Sequence, residues 1–92
     1  MAVTQSVRKL VYELCLHLRM NPLASDSIEG ISAWWLQTRD SEEADLLQAL
    51  EWLQRGGVIE SQSAADGRIR YRRQDPFSDI EAEVERLMRA EE

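Results

Sequence analysis

The fold is decided by residues 26–62, "DSIEGISAWWLQTRDSEEADLLQALEWLQRGGVIESQ", in which two helical patterns lead into a short β-branched strand. Asp26 or Ser27 is suited to cap the first helix, and Asp26 with Glu29 has the spacing of a capping box. We expect a helix of about ten residues with one apolar side, formed by Ile28, Ile31 and Trp35. We interpret the pair Trp34 and Trp35 as core anchors, because large aromatic rings contribute most when they are buried.

The second helix of this stretch has a clearer leucine pattern. Asp40 or Ser41 is suited to cap it, acidic residues follow at the positive end of the helix dipole, and Gly56 with Gly57 ends it. The stripe that we expect to be buried contains Leu46, Leu47, Leu50 and Leu53. The reverse side contains Asp45, Gln48, Glu51, Trp52 and Arg55.

Residues 4–20, "TQSVRKLVYELCLHLRM", predict an amphipathic helix that Asn21 and Pro22 end. Its main apolar face contains Val7, Leu10, Val11, Leu14 and Leu18. Tyr12 and Leu16 lie on the opposite side, so we expect this helix to have a second partner besides the core.

Residues 58–74, "VIESQSAADGRIRYRRQ", predict a β-hairpin, since Asp66-Gly67 is a strong turn signal between two short strands. Side chains alternate between the two faces of a strand. In the second strand Ile69 and Tyr71 would therefore face the core. The other face would present arginines to solvent, namely Arg68, Arg70 and Arg72.

A last amphipathic helix is predicted after Pro76, in "FSDIEAEVERLMRAEE". Ser78 and Glu81 have the spacing of a capping box. Its apolar stripe contains Phe77, Ile80, Val84, Leu87 and Met88. We divide the chain into a domain of residues 1–75 and a C-terminal helix of residues 76–92.

Composition limits the class of protein. The chain has 92 residues, which is one domain, and 43% hydrophobic with 30% charged residues is typical of a folded chain. No stretch approaches the roughly 20 apolar residues that span a bilayer, and no signal peptide is recognisable, so we expect a cytoplasmic protein. Cys15 is the only cysteine, which excludes an internal disulfide.

The sequence does not indicate an enzyme. It contains no glycine-rich phosphate loop, no cluster of metal ligands, and no nucleophile at a suggestive spacing from His17, its one histidine. Paired carboxylates lie at predicted helix starts, where capping explains them. We therefore expect no catalytic residues, no cofactor, no metal and no small-molecule ligand.

The order helix, helix, short turn, helix, hairpin, helix resembles a winged-helix domain over roughly residues 5–73. The resemblance is carried by the capped short helix, the Ser-Glu-Glu start of the leucine-patterned helix, its Gly-Gly-Val-Ile exit and the Asp66–Arg73 hairpin. It implies an α+β fold: a winged helix-turn-helix, mostly helical, with a two-stranded antiparallel wing and an additional C-terminal helix. No individual subfamily is indicated.

The resemblance implies a small DNA-binding protein, a transcriptional regulator that docks on double-stranded DNA through a basic wing. Residues 41–55 would be the recognition helix, with Ser41, Gln48 and Arg55 toward the DNA. The wing would supply the phosphate or minor-groove contacts through Arg68, Arg70, Arg72 and Arg73.

The charge distribution supports an alternative. Residues 41–60 contain five acids and one base, a charge of −4, whereas residues 66–73 contain four bases and one acid, a charge of +3. Carboxylates at a recognition helix repel phosphates. The alternative is a protein-interaction module that uses Trp52 and Asp45 of the acidic helix, with the wing against an acidic protein surface. The arginines can also serve only to keep an edge strand soluble.

The C-terminal helix has two alternatives of its own. It can pack within the chain, against Tyr12 and Leu16 of the first helix. It can instead form a homodimer interface through Ile80, Val84 and Leu87.

Overall fold

Helix α1 (Gln5–Met20) forms where the sequence predicts it. In the computed structural model, which describes residues 3–36 and 42–91, the Thr4 hydroxyl accepts a hydrogen bond from the Val7 amide at 3.2 Å and caps this helix. Asn21 closes the other end by donating to the His17 carbonyl. The expected apolar face of α1 is buried, together with Cys15.

A two-residue strand, β1 (Ser25–Asp26), and a short helix, α2 (Ile28–Gly30), follow α1. Ser27 caps α2 by accepting from the Gly30 amide, which confirms one of the two expected caps. Asp26 instead accepts from the Ser27 amide at 2.8 Å, so the capping box with Glu29 does not form.

Helix α2 continues into a π-helical turn, Ile31–Trp35. Ile31 and Trp35 are buried, but Trp34 is 79% exposed, so the expectation that both tryptophans anchor the core is wrong for Trp34. Neighbouring side chains of a helix point in different directions, and one core face accepts only one of them.

Helix α3 (Glu43–Arg55) is the leucine-patterned helix. The expected caps Asp40 and Ser41 lie outside the described residues, and Glu42 occupies the cap position without a side-chain hydrogen bond. Leu46, Leu50 and Leu53 are buried, whereas Leu47 is half-exposed. Gly57 follows the helix with a positive φ of 75°, a conformation that favours glycine.

Strands β2 (Ile59–Ser63) and β3 (Ile69–Arg73) form the expected hairpin, in the register Ser61↔Tyr71. The expected two-stranded wing is corrected to three strands, because β1 pairs antiparallel with β3 in the register Asp26↔Tyr71. The strand order is β1-β3-β2, with β3 in the centre. Ile69 lies near the hairpin tip and is half-exposed, so it does not reach the core as expected.

Helix α4 (Ile80–Ala90) packs on α1 within the chain. Asp79, rather than Ser78, caps it by accepting from the Ala82 amide at 3.1 Å. Ile80, Val84 and Met88 join the core formed by α1, α3 and the start of β2. The expected α+β class with a C-terminal helix is confirmed.

Candidate interaction surface

The exposed arginines of β3 are already engaged within the chain. Arg72 Nε donates to Glu60 Oε1 at 2.9 Å, and Arg70 Nη2 donates to the Ser25 carbonyl at 2.9 Å. Arg68, next to the turn, lies 3.8 Å from the Asp66 carboxylate. The arginines on and beside the central strand β3 are therefore less available than the sequence suggests, although Arg68, Arg70 and Arg72 remain exposed to solvent.

Arg73 does not belong to the exposed strip. It is 6% exposed, and its Nη2 donates to the Ser78 carbonyl at 2.6 Å and to the Ser78 hydroxyl at 3.2 Å. The period of two along β3 places Arg73 on the same face as Tyr71, toward the interior. This burial does not favour the predicted contact of Arg73 with DNA, because the guanidinium is directed to Ser78 and anchors the segment before α4.

The exposed side of α3 carries acidic residues and few other polar groups. Gln48, Glu51 and Arg55 are exposed, and Arg55 forms an ion pair with Glu51. Asp45 is half-buried, and Ser41 lies outside the described residues. The N-terminal end of α3 also borders a groove of about 390 Å³ with an apolar floor and three carboxylates, from Glu29, Glu42 and Glu43. Phosphates would be repelled at this end of the helix.

Trp52 is not exposed in the way that the hypothesis of a protein-interaction module through α3 expects. Its ring is half-buried against the core, and its Nε1 donates to Glu91 Oε1 at 3.2 Å. Trp52 thereby connects α3 to the residue that follows α4.

The apolar stripe of α4 is used inside the chain. Ile80 and Val84 are buried, and Leu87 is half-buried against Gly56 at the end of α3. A homodimer interface through these three residues would require α4 to leave the core. Packing of α4 within the chain is thus observed, although its contact face is not the expected one, because Tyr12 and Leu16 stay exposed.

A different surface presents large apolar side chains to solvent around the C-terminal end of α1. We call it the α1 apolar surface, and it consists of Tyr12, Leu16, Met20, Leu23 and Phe77. Phe77 is 94% exposed and Leu23 is 82% exposed. Isolated exposed apolar residues are ordinary in proteins, but contiguous patches mark sites of interaction.

Two adjoining grooves make four of these side chains contiguous, and Tyr12 lies one turn before Leu16 on α1. One groove, of about 630 Å³, lies between the end of α1 and the segment before α4, and Met20, Leu23 and Phe77 line it. The other, of about 500 Å³, runs along α1 past Leu16 to Trp35. Residues His17, Met20 and Asn21 line both grooves. The chain therefore carries one continuous apolar surface with a projecting aromatic ring.

His17 forms the floor between the two grooves. Its ring stacks on Trp35 with centroids 4.6 Å apart and an angle of 15° between the planes. Burial lowers the pKa of His17 below its usual value, and the Asp26 carboxylate opposes this shift only in part. The imidazole is therefore neutral at physiological pH, which keeps the floor uncharged.

Cys15 has no features of a reactive thiol. It is buried in α1, and burial, reinforced by the Glu81 carboxylate, raises the pKa of the thiol above its usual value. A protonated, buried thiol is a poor nucleophile.

The described residues add no metal or membrane site. Within residues 3–36 and 42–91, side chains of His, Cys, Asp and Glu do not gather in groups of three or more that would hold a metal ion. In the same part of the chain, every helix is too short or too polar to cross a bilayer.

No protein-family model matches this chain, and no curated protein or solved structure is significantly similar to it.

Sequence reasoning identified part of the α1 apolar surface. It singled out Tyr12 and Leu16 as a second apolar face that needs a partner. It missed Met20, Leu23 and Phe77, because Met20 and Leu23 flank the expected end of α1 and Phe77 was assigned to the buried stripe of α4. The sequence feature that could have indicated them is the interruption of apolar residues by Asn21 and Pro22. A helix that ends there does not bury the apolar residues on both sides of its end.

Proposed function

We propose that this chain is a winged-helix domain that acts by binding another protein through the α1 apolar surface. The single observation that carries the proposal is that surface itself, with five exposed large apolar side chains, four of which line two adjoining grooves. A chain of this size gains stability by burying such groups, so leaving five of them together in water favours a binding role.

The winged-helix part of the proposal is supported by the order of elements. A first helix, a short helix, the leucine-patterned α3 and the β2–β3 hairpin follow one another as the resemblance implies. The strand β1 adds to the hairpin and holds the start of α2 beside β3. The C-terminal α4 is an addition that closes the core.

Binding of a protein is favoured over binding of DNA by the charges on the surfaces that a winged helix would use. The exposed side of α3 carries Glu43 and Glu51, and its one arginine, Arg55, is paired. On the sheet, Arg72 is paired with Glu60. Affinity for DNA depends mainly on neutralising phosphates, and these surfaces leave few cations for that purpose.

Site-specific photo-cross-linking tests the proposal. We expect the chain with p-benzoylphenylalanine in place of Phe77 to give a covalent protein adduct when cells of its native host are irradiated, because the ring projects into the interface. The matched control carries the same residue in place of Leu47, which is half-exposed on α3. Adducts from position 47 but not from position 77 would refute the assignment of the surface and favour α3.

A second candidate function, binding of double-stranded DNA through the wing, is favoured by Arg68 and Arg70. Both are exposed near one end of the sheet. Among the described residues, Arg68 has a long contact of 3.8 Å with Asp66, and Arg70 donates to the Ser25 carbonyl rather than to a carboxylate. This candidate predicts that a duplex is shifted in a mobility-shift assay at low salt. The shift should weaken steeply as salt rises and disappear in the double variant Arg68→Ala, Arg70→Ala. A chain that leaves the duplex unshifted at low salt would eliminate this candidate.

We retain the absence of enzymatic activity as part of the proposal. It is supported by the lining of the two grooves, where neutral side chains predominate and Cys15, a buried thiol whose pKa is raised, takes no part.

A further inference from the structure

We propose that the partner of the α1 apolar surface is a second copy of this chain, so that the protein forms a two-fold symmetric homodimer. This inference rests on the proposed function, because it names the partner of the same surface. In the dimer, the projecting Phe77 of each copy covers the groove beside Leu16 and Met20 of the other.

The shape of the surface fits a two-fold partner. An isologous interface uses the same patch on both copies, so each patch must contain both the projecting and the receiving part. Phe77, at 94% exposure, is the projecting part. The groove of about 500 Å³ past Leu16 is the receiving part, and Met20 connects the two because it lines both grooves. A rotation by 180° therefore places Phe77 of each copy in the groove of the other.

The charge of the surface selects the same partner. The described residues that line the groove next to Phe77 are all uncharged: His17, Met20, Asn21, Pro22, Leu23, Ala24, Pro76 and Phe77. The groove past Leu16 is lined in addition by Glu13 and Arg19, and Arg19 forms an ion pair with Glu81. A nucleic acid or a strongly charged protein gains little complementary charge beside Phe77, whereas another apolar, mostly neutral surface is complementary to it.

The charge of α3 and α4 makes pairings of two copies through these helices unfavourable. The chain carries a net charge of −6. Residues 41–60 contain five acids and one base, and residues 75–92 contain seven acids and two bases, so contacts through α3 or through the outer side of α4 bring acidic surfaces together. Like charges across an interface repel, so two copies meet more easily at the α1 apolar surface than through either acidic helix.

The size of the surface predicts the strength of the dimer. A buried aromatic side chain contributes roughly 150–250 Å², and the five side chains together expose several hundred Å². A standard stable interface buries about 800 Å² on each partner. The α1 apolar surface is smaller, so we expect a reversible dimer with a dissociation constant on the order of 10–100 μM.

Sedimentation equilibrium of the purified chain tests the inference. The concentration should run from about 2 μM to about 500 μM, which brackets the expected dissociation constant. We expect the weight-average mass to rise from that of a monomer toward twice that value. Phe77→Asp on the projecting side and Met20→Asp on the receiving side should each weaken dimerisation at least tenfold, because both bury a carboxylate in an apolar contact.

The matched control is Leu47→Asp, which makes the same chemical change at a half-exposed leucine of α3. It should dimerise like the unaltered chain, and circular dichroism should show that all three variants stay folded. The inference is overturned if the unaltered chain is a monomer at about 500 μM, well above the expected dissociation constant. It is equally overturned if Leu47→Asp weakens the dimer as much as Phe77→Asp.

The two proposals can fail separately. If the chain stays a monomer while the photo-cross-link at position 77 captures a different protein, the homodimer is wrong and the proposed function stands. If position 77 also gives no adduct, both are wrong.

Discussion

Leu14→Ala is expected to lower the free energy of unfolding by about 3–5 kcal/mol, the largest effect of any single truncation that we consider. Leu14 has no exposed area and lies in α1 at the centre of the core that α1 shares with α3 and α4. Truncation removes the free energy gained by burying the side chain, and it leaves a cavity that the rigid neighbouring side chains cannot fill. The total free energy of unfolding of a domain is roughly 5–15 kcal/mol, so the variant would lose a large part of its stability.

Leu16→Ala is the matched control, two residues further along the same helix. Leu16 is half-exposed, so its truncation should change the free energy of unfolding by less than about 1 kcal/mol. Urea denaturation followed by circular dichroism measures both variants, at a concentration low enough to keep the chain monomeric. Equal losses for the two variants would contradict the assignment of the two faces of α1.

Arg73→Met is expected to lower the free energy of unfolding by about 1.5–3 kcal/mol. Methionine retains the apolar stem of the side chain but leaves the Ser78 carbonyl and hydroxyl without their donor. These bonds hold the segment before α4, so the variant should also loosen the docking of α4. Hydrogen exchange of the amides of residues 80–90 reports that loosening directly.

Arg72→Met is the control for Arg73→Met. It removes an exposed ion pair with Glu60, and such pairs are worth no more than about 1 kcal/mol. If Arg73→Met leaves the free energy of unfolding unchanged, the desolvation cost of the guanidinium equals the stabilisation from its hydrogen bonds. The role of Arg73 as an anchor would then be refuted. A larger effect for Arg72→Met would place the stabilising arginine on the outer face instead.

The comparison of Arg72 with Arg73 shows where sequence reasoning succeeded and where it failed. Alternation along β3 predicted that Tyr71 faces inward, and the same rule places Arg73 inward two positions later. We nevertheless expected Arg73 to be exposed because it is charged, and arginine is seldom buried. The Ser78 carbonyl makes burial favourable, and a contact between a strand and the segment after it is not visible in either pattern.

The tryptophans show the same limit. Trp35 was expected in the core and is buried there, against His17. Trp34 is exposed, and Trp52 is half-buried with a hydrogen bond to Glu91. Composition shows that three large rings must be accommodated, but the direction of each ring depends on how α2 and α4 are placed.

The sequence by itself determined the local elements of this protein: the apolar faces of α1 and α3, the C-terminal ends of these two helices and the hairpin at Asp66-Gly67. These features depend on side-chain spacing, capping and backbone preferences, which act over a few residues. Only the tertiary structure decided which faces remain uncovered. Helix α4 packs on the side of α1 near Cys15 and pairs its Glu81 with Arg19, so Tyr12 and Leu16 stay in solvent. That choice depends on contacts between residues more than 60 positions apart in the chain, such as Arg19 and Glu81, which no local pattern encodes.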